Sequence, residues 1–172
     1  TYDDVKGDVR QQAKIAILAC GFGGGPGALQ SMARMYGLDL NDDLCETIVA
    51  KFRGASPPLV AMWQEVKRAA EYATQHQRQE FTCCRGMVSY YHNGTHLFCK
   101  LPSGRRICYP FAIMGESPAP WDEEKTVRGI IYEGPHKLTR KWGKRSAWHG
   151  ILVENIVQGG CRDIAVRRFF DL

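Results

Sequence analysis

The chain has 172 residues, of which 44% are hydrophobic and 24% charged, which suits a folded domain with a sizeable core and excludes a disordered or fibrous chain. The formal net charge of +5 permits a polyanionic partner without demanding one. No apolar run approaches the ~18 residues that a membrane helix needs, and the opening TYDDVKGDVR lacks the basic start and apolar stretch of a signal peptide.

The first part of the chain reads as helical. A helix is predicted from Asp8, which offers a capping carboxylate, to Cys20, where the glycines of GFGGGPG break it. ALQSMARMYGL repeats Leu29, Met32, Ala33 and Tyr36 at helical spacing and stops at Gly37. NDDLCETIVAKFRGAS gives a third helix capped by Asn41 or Asp42, and Pro57-Pro58 is expected to end that unit. LVAMWQEVKRAAEYATQHQ gives a fourth, with Val60, Trp63, Val66, Lys67 and Ala70 on one face.

The character changes near Glu80. MVSYYHNGTHLFCKLPSGRRICYPFAI is rich in aromatic and β-branched residues, with turns at Asn93-Gly94 and Pro102-Ser103-Gly104, and predicts a hairpin or three-stranded meander. GESPAPWDEE reads as a proline-containing loop, TVRGIIYEG as one more strand, and KLTRKWGKR (137–145) as a basic loop. GILVENIVQGGCRDIAVRRFF reads as one long final helix. The expected fold is therefore α+β: a helical region over 1–80, a small antiparallel sheet and basic loop over 81–145, and a long helix over 146–172.

Seven cysteines, with no C-x-x-C spacing, read as reduced thiols of a cytosolic protein, not as a disulfide framework. Cys84, His92, His96 and Cys99 imitate a zinc quartet, but a two-residue Asn93-Gly94 turn would pair His92 with Thr95 and leave no tetrahedron. No zinc is expected. The sequon at Asn93 is incidental in a cytosolic chain. Acidic residues gather in LDLNDDLCE and WDEEK, and basic residues at Arg105-Arg106, in 137–145 and at Arg167-Arg168. Such patches contact phosphate or form a solvated surface.

The stretch from Asp8 to Gly25 carries the most chemistry. At ~100° per residue, Arg10, Lys14, Leu18 and Gly21 fall on one face. Two cations stand one turn apart, and an apolar side chain and then Phe22 continue the stripe. Arginine forks onto phosphate oxygens, lysine acts as a point charge, and an aromatic ring offers a face to a base. An exposed helix face followed by a flexible glycine turn remains the alternative. A P-loop or dinucleotide fingerprint is excluded, because those glycines follow a strand and open a helix.

RQQAK (10–14), GFGGG (21–25), LPSGR (101–105), VENIVQ (153–158) and RD (162–163) occur in that order. This ordered set, with an aromatic-Gly pair eight positions after Lys14, resembles the family A DNA polymerases of the DNA polymerase I type, and among them the phage and prophage branch. The resemblance implies a fingers region and part of the palm. It implies that Arg10 and Lys14 bind the triphosphate of an incoming dNTP, and that Lys14 is the catalytic proton donor to pyrophosphate. Leu18 would lie beside the sugar, and Phe22, followed by Gly23, near the nascent base pair. Arg105 and Arg106 would meet backbone phosphates, and Glu154, Asn155 and Gln158 would face primer-template DNA.

Two positions depart from the family pattern: Phe22 stands for the usual tyrosine, and AWHG (147–150) for T-Y-G-G. A D-Y-S-x-x-E strand and an H-D-E turn, which hold Mg²⁺ in the family, are not found. Asp3-Asp4 lack the strand pattern, and Glu154, Asp163 and Asp171 show no pairing. The resemblance thus implies a nucleotidyltransferase fragment without a metal site of its own, inactive alone. Its partners would be primer-template DNA, dNTP and the remainder of the polymerase, with Mg²⁺ in the intact enzyme. No membrane partner is expected, and the location would be the cytoplasm of a bacterium or phage-infected host. Thr1 in place of an initiator Met fits a processed or excised chain. The other reading is a non-catalytic DNA-binding or interaction module derived from a fingers domain.

Overall fold

The computed structural model describes residues 7–119, 122–136 and 139–170. Asp3, Asp4, Lys137 and Asp171 lie outside the described residues. The chain divides into two compact units, Thr1–Ala61 and Met62–Leu172. The architecture is α+β, with helices α1 (Gly7–Cys20), α2 (Pro26–Met35), α3 (Asp42–Ala55), α4 (Pro57–Gln75) and α5 (His149–Phe170) and two antiparallel sheets among the described residues.

The first unit is built on α1, α2 and α3. Ile15, Ala19 and Cys20 of α1 meet Leu29 and Ala33 of α2, Leu40 of the linker, and Cys45 and Val49 of α3. These are i, i+4 pairs, so each helix offers one stripe to a common core. Asp8, expected as a cap, lies inside α1. Gly37, at φ 75°, ends α2. Its N–H donates to the Arg34 carbonyl and that of Leu38 to the Ala33 carbonyl, a Schellman closure that needs a left-handed residue. Asn41 Oδ1 caps α3 by accepting from Leu44 N at 2.9 Å, and Asp42 and Asp43 sit favourably in the first turn.

α3 ends at Ala55, just before Pro57-Pro58 as expected, and the proline pair itself opens α4. Proline at the first helical positions has no N–H to leave unpaired and its φ suits the helix. In the second unit α4 buries Trp63, Val66, Ala69, Ala70, Ala73 and Thr74.

Four strands form a meander: β1 (Glu80–Cys83), β2 (Val88–His92), β3 (Leu97–Lys100) and β4 (Arg106–Tyr109), paired in chain order. Its inner face buries Cys83, Val88, Tyr90, His92, Leu97, Cys99 and Tyr109. Glu65 Oε1 of α4 accepts from Cys84 N at 3.0 Å and fixes the β1–β2 turn.

The β2–β3 hairpin corrects the expected pairing of His92 with Thr95: His92 pairs with Leu97. Asn93 opens the turn instead of occupying its centre. Its Oδ1 accepts from Thr95 N at 2.9 Å and His96 N at 2.8 Å, so the asparagine side chain replaces a backbone acceptor.

The second sheet contains β5 (Ile113–Ala119), β6 (Asp122–Pro135) and β7 (Trp142–Ser146) in the order β5-β6-β7. GESPAPWDEE, expected as a loop, supplies the end of β5 and the start of β6. Pro118 is tolerated because β5 is an edge strand and the register shifts at Pro118/Ala119. Part of the expected basic loop is also strand, with Arg145 paired to Tyr132 and Lys144 to Glu133.

Candidate functional site: the solvent face of α1

Burial of Ile15, Ala19 and Cys20 turns the opposite face of α1 outward. Arg10, Lys14 and Leu18 are all exposed, as is Ile17. Leu18 keeps 45% of its surface in solvent and Ile17 63%, so the stripe of two cations followed by apolar side chains is accessible. Lys14 Nζ lies 5.4 Å from the centroid of the Tyr36 ring, a cation–π contact that places the ammonium beside the end of α2.

At the C-terminal end of α1, Gly23 adopts φ 88° and donates to the Cys20 carbonyl at 2.9 Å. Phe22 is half-buried. A Cβ on Gly24 would stand 2.1 Å from the Ala19 carbonyl oxygen, so a side chain there would collide with helix backbone. The Gly24 carbonyl accepts from Arg53 Nη2 at 3.4 Å. Burial raises the Cys20 thiol above its ordinary pKa, with Arg53 opposing, so this cysteine is a neutral core group, not a nucleophile.

The expected DNA-facing residues of the second unit have different surroundings. Arg105 Nε donates to Asp163 Oδ1 at 2.7 Å, and Nη2 to the Gly159 carbonyl at 2.9 Å. Ser103 Oγ donates to the other Asp163 oxygen. The LPSGR turn is thereby latched onto α5, and the latch holds Asp163 below the usual carboxylate pKa, through Ser103 first and Arg105 next. Arg106, the next residue, is exposed on the other face of the sheet.

Asn155 Nδ2 donates to the buried Tyr109 hydroxyl at 3.1 Å. Burial drives that phenol well above its ordinary pKa. Gln158 is exposed and its Nε2 donates to Glu154 Oε1 at 3.1 Å. Thus Gln158 and Arg106 present polar atoms outward, whereas Arg105 and Asn155 are committed within the protein.

Mg²⁺ requires clustered carboxylates. Among the described residues no group of three or more His, Cys, Asp or Glu side chains is placed to hold a metal ion. The α5 carboxylates do not fit one: Asp163 faces Arg105 and Ser103, and Glu154 accepts from Gln158. The histidines of the imitated zinc quartet also have structural partners. His92 Nδ1 accepts from Gly94 N, so Nε2 carries the proton and donates to the Ala112 carbonyl at 2.8 Å. His96 Nδ1 accepts from Phe111 N at 3.0 Å.

One feature escaped the sequence reading. The outer face of the four-stranded sheet forms a concavity of about 380 Å³ lined by Glu80, Ser89, Tyr91, Phe98, Lys100 and Arg106. Strand alternation is the signal that could have found it: Tyr90 and Cys99 point inward, so Tyr91 and Phe98 point outward.

Over 155 residues, 90% of its length, the chain is 35% identical to a protein of Bacillus phage SP02 named DNA polymerase. It spans 22% of that relative. No family model and no solved structure matches the chain. Among the described residues no helix is long and apolar enough to cross a membrane.

Proposed function

We propose that the chain is the nucleotide-binding part of a family A DNA polymerase, contributing the fingers and a portion of the palm to template-directed nucleotidyl transfer. The observation that carries this reading is the similarity to a phage DNA polymerase along nine-tenths of the chain; the exposed Arg10-Lys14-Leu18 stripe supplies the chemistry it calls for. The polymerase activity belongs to the longer protein of which the chain would form a part.

Phosphoryl transfer is governed by positioning and electrostatics. Arg10 would fork onto triphosphate oxygens while Lys14 supplies a mobile point charge. Tyr36 under the Lys14 ammonium limits its wandering without neutralising it. As pyrophosphate leaves, charge accumulates on its oxygens, and a lysine there both stabilises the charge and donates a proton. Leu18 would pack against the sugar and Phe22 against the base pair, with Gly23 allowing close approach. Mg²⁺, when held by carboxylates of the intact enzyme, would neutralise the reacting phosphates. Gln158 and Arg106 are the side chains best exposed for DNA contact.

Fluorescence anisotropy of a labelled primer-template, with and without the matched dNTP and Mg²⁺, tests the reading. The matched dNTP is expected to tighten DNA binding by about tenfold, the equivalent of one charge-assisted contact. Lys14→Ala should remove that gain. DNA binding that ignores both dNTP and Lys14 would overturn the nucleotide site and leave the non-catalytic module.

A further inference from the structure

The outer face of the four-stranded sheet has the composition of a base-stacking platform. Tyr91 of β2 and Phe98 of β3 are register partners, so their rings share one face at the centre of the sheet. The aromatic surface continues from Phe98 to His96, whose ring centroid lies 6.3 Å away, and from His96 to Phe111 at 4.9 Å. Phe111 is 52% exposed and holds φ 52°, an uncommon backbone state for a bulky residue. His96 Nδ1 accepts from its N–H, so the hairpin itself holds this ring at the platform's edge.

The other end of the face is cationic. Lys100 of β3 stands directly opposite Arg106 of β4, and both are exposed. Like charges facing each other across a ladder repel. Neither makes an ion pair among the described residues. Glu80, the acid of the concavity, accepts instead from the Ser89 hydroxyl. A bound anion between Lys100 and Arg106 would turn that repulsion into attraction. From His96 to Lys100 the strand covers about 13 Å, close to the rise of four stacked nucleotides in one strand.

We propose that this face binds a single-stranded polynucleotide, with bases stacked on Tyr91 and Phe98 and phosphates held by Lys100 and Arg106. Unpaired bases are required, because a duplex hides its ring faces while aromatic platforms read them without sequence preference. The carboxylate of Glu80 keeps phosphates towards the Lys100–Arg106 end and can accept from a base amino group. The site uses none of the α1 residues, so it stands whether or not that helix binds a nucleotide.

The test is anisotropy of labelled oligo-dT and oligo-rU of about twelve nucleotides, within the usual range of such sites, with the 172-residue chain and no dNTP or Mg²⁺. The Tyr91→Ala/Phe98→Ala double variant should weaken binding by about 5- to 150-fold for each stacked base lost. Tyr91→Phe and Phe98→Tyr keep the ring faces and should bind as wild type, which separates stacking from misfolding. Lys100→Gln with Arg106→Gln should lower the slope of log K against log salt by about 1.4, the value for two phosphate contacts on a single strand. Lys51→Gln, which removes an exposed lysine of α3 outside the site, should leave oligonucleotide binding unchanged. A preference for dT or rU assigns the polymer. Binding indifferent to the aromatic pair, or equal for a blunt duplex, would overturn the proposal.

Discussion

The α1 face and the α5 flank with its β3–β4 turn both carry polar residues for which nucleotide or DNA contacts are proposed, yet the protein uses them differently. On α1, Ile15, Ala19 and Cys20 make the core while Lys14 and Leu18 stay in solvent. On α5, Asn155 and Asp163 bind Tyr109, Ser103 and Arg105 within the same unit. One helix therefore separates its packing face from an exposed cationic and apolar face, while the other uses its polar side chains to hold the sheet. Substitutions on α1 should divide cleanly into those that alter stability and those that alter binding. On α5 the two effects should be mixed.

The largest expected effect tests the first half of that contrast. Ile15→Ala should destabilise the chain by about 2–5 kcal/mol, the range for deleting a buried aliphatic side chain. Leu18→Ala and Lys14→Ala should stay within about 0.5 kcal/mol of wild type. Urea denaturation followed by circular dichroism measures all three. If Leu18→Ala costs as much as Ile15→Ala, the outer face of α1 is structural and its availability to a nucleotide is lost.

A smaller effect tests the second half. Asn155→Ala strips the buried Tyr109 hydroxyl of its donor and should cost about 1–3 kcal/mol. Tyr109→Phe removes the other partner. The double variant Asn155→Ala/Tyr109→Phe should lose less than the two single losses added together. Additive losses would show that the 3.1 Å contact contributes little, and would release Asn155 for a role in DNA contact.

The helices were legible because their signals are local. Leu29 and Ala33, or Cys45 and Val49, repeat at one-turn spacing, and Asn41 and Gly37 mark the ends. Proline was the ambiguous letter. Pro57 starts a helix and Pro118 sits in an edge strand, and in both places its missing N–H leaves no ladder bond broken. The exposed stripe of α1 was also legible, since helical spacing alone groups Arg10, Lys14 and Leu18.

What the sequence hid was pairing over distance. Nothing local joins Arg105 to Asp163, 58 residues later, so a cation suited to phosphate proved to have a carboxylate partner. The concavity on the sheet was hidden for a related reason. In VSYYH and LFCK successive side chains change face, and the expected register, two residues off, keeps the two faces but changes which side chains stand opposite each other. With His92 paired to Leu97, Tyr91 and Phe98 become direct partners on the outside.

The smallest expected effect concerns the charge on the α5 latch. In the folded chain Asp163 titrates below its ordinary value of 3.8, because Ser103 Oγ donates to it and Arg105 stands beside it. The unfolded chain therefore takes up this proton at a higher pH than the folded one. The stabilisation is fully present above the unfolded value and disappears as pH falls through the folded value. Asp163→Asn removes the titrating group while keeping an acceptor for Ser103. The gap in urea midpoint between wild type and Asp163→Asn should thus shrink as the buffer is taken from about pH 6 to about pH 3. A gap that stays constant over that range would mean that the latch works through the shape of the Ser103–Asp163–Arg105 contact and not through its charge. Arg105 would then be held loosely enough in electrostatic terms to turn towards a phosphate, and the contrast between the two helices would narrow.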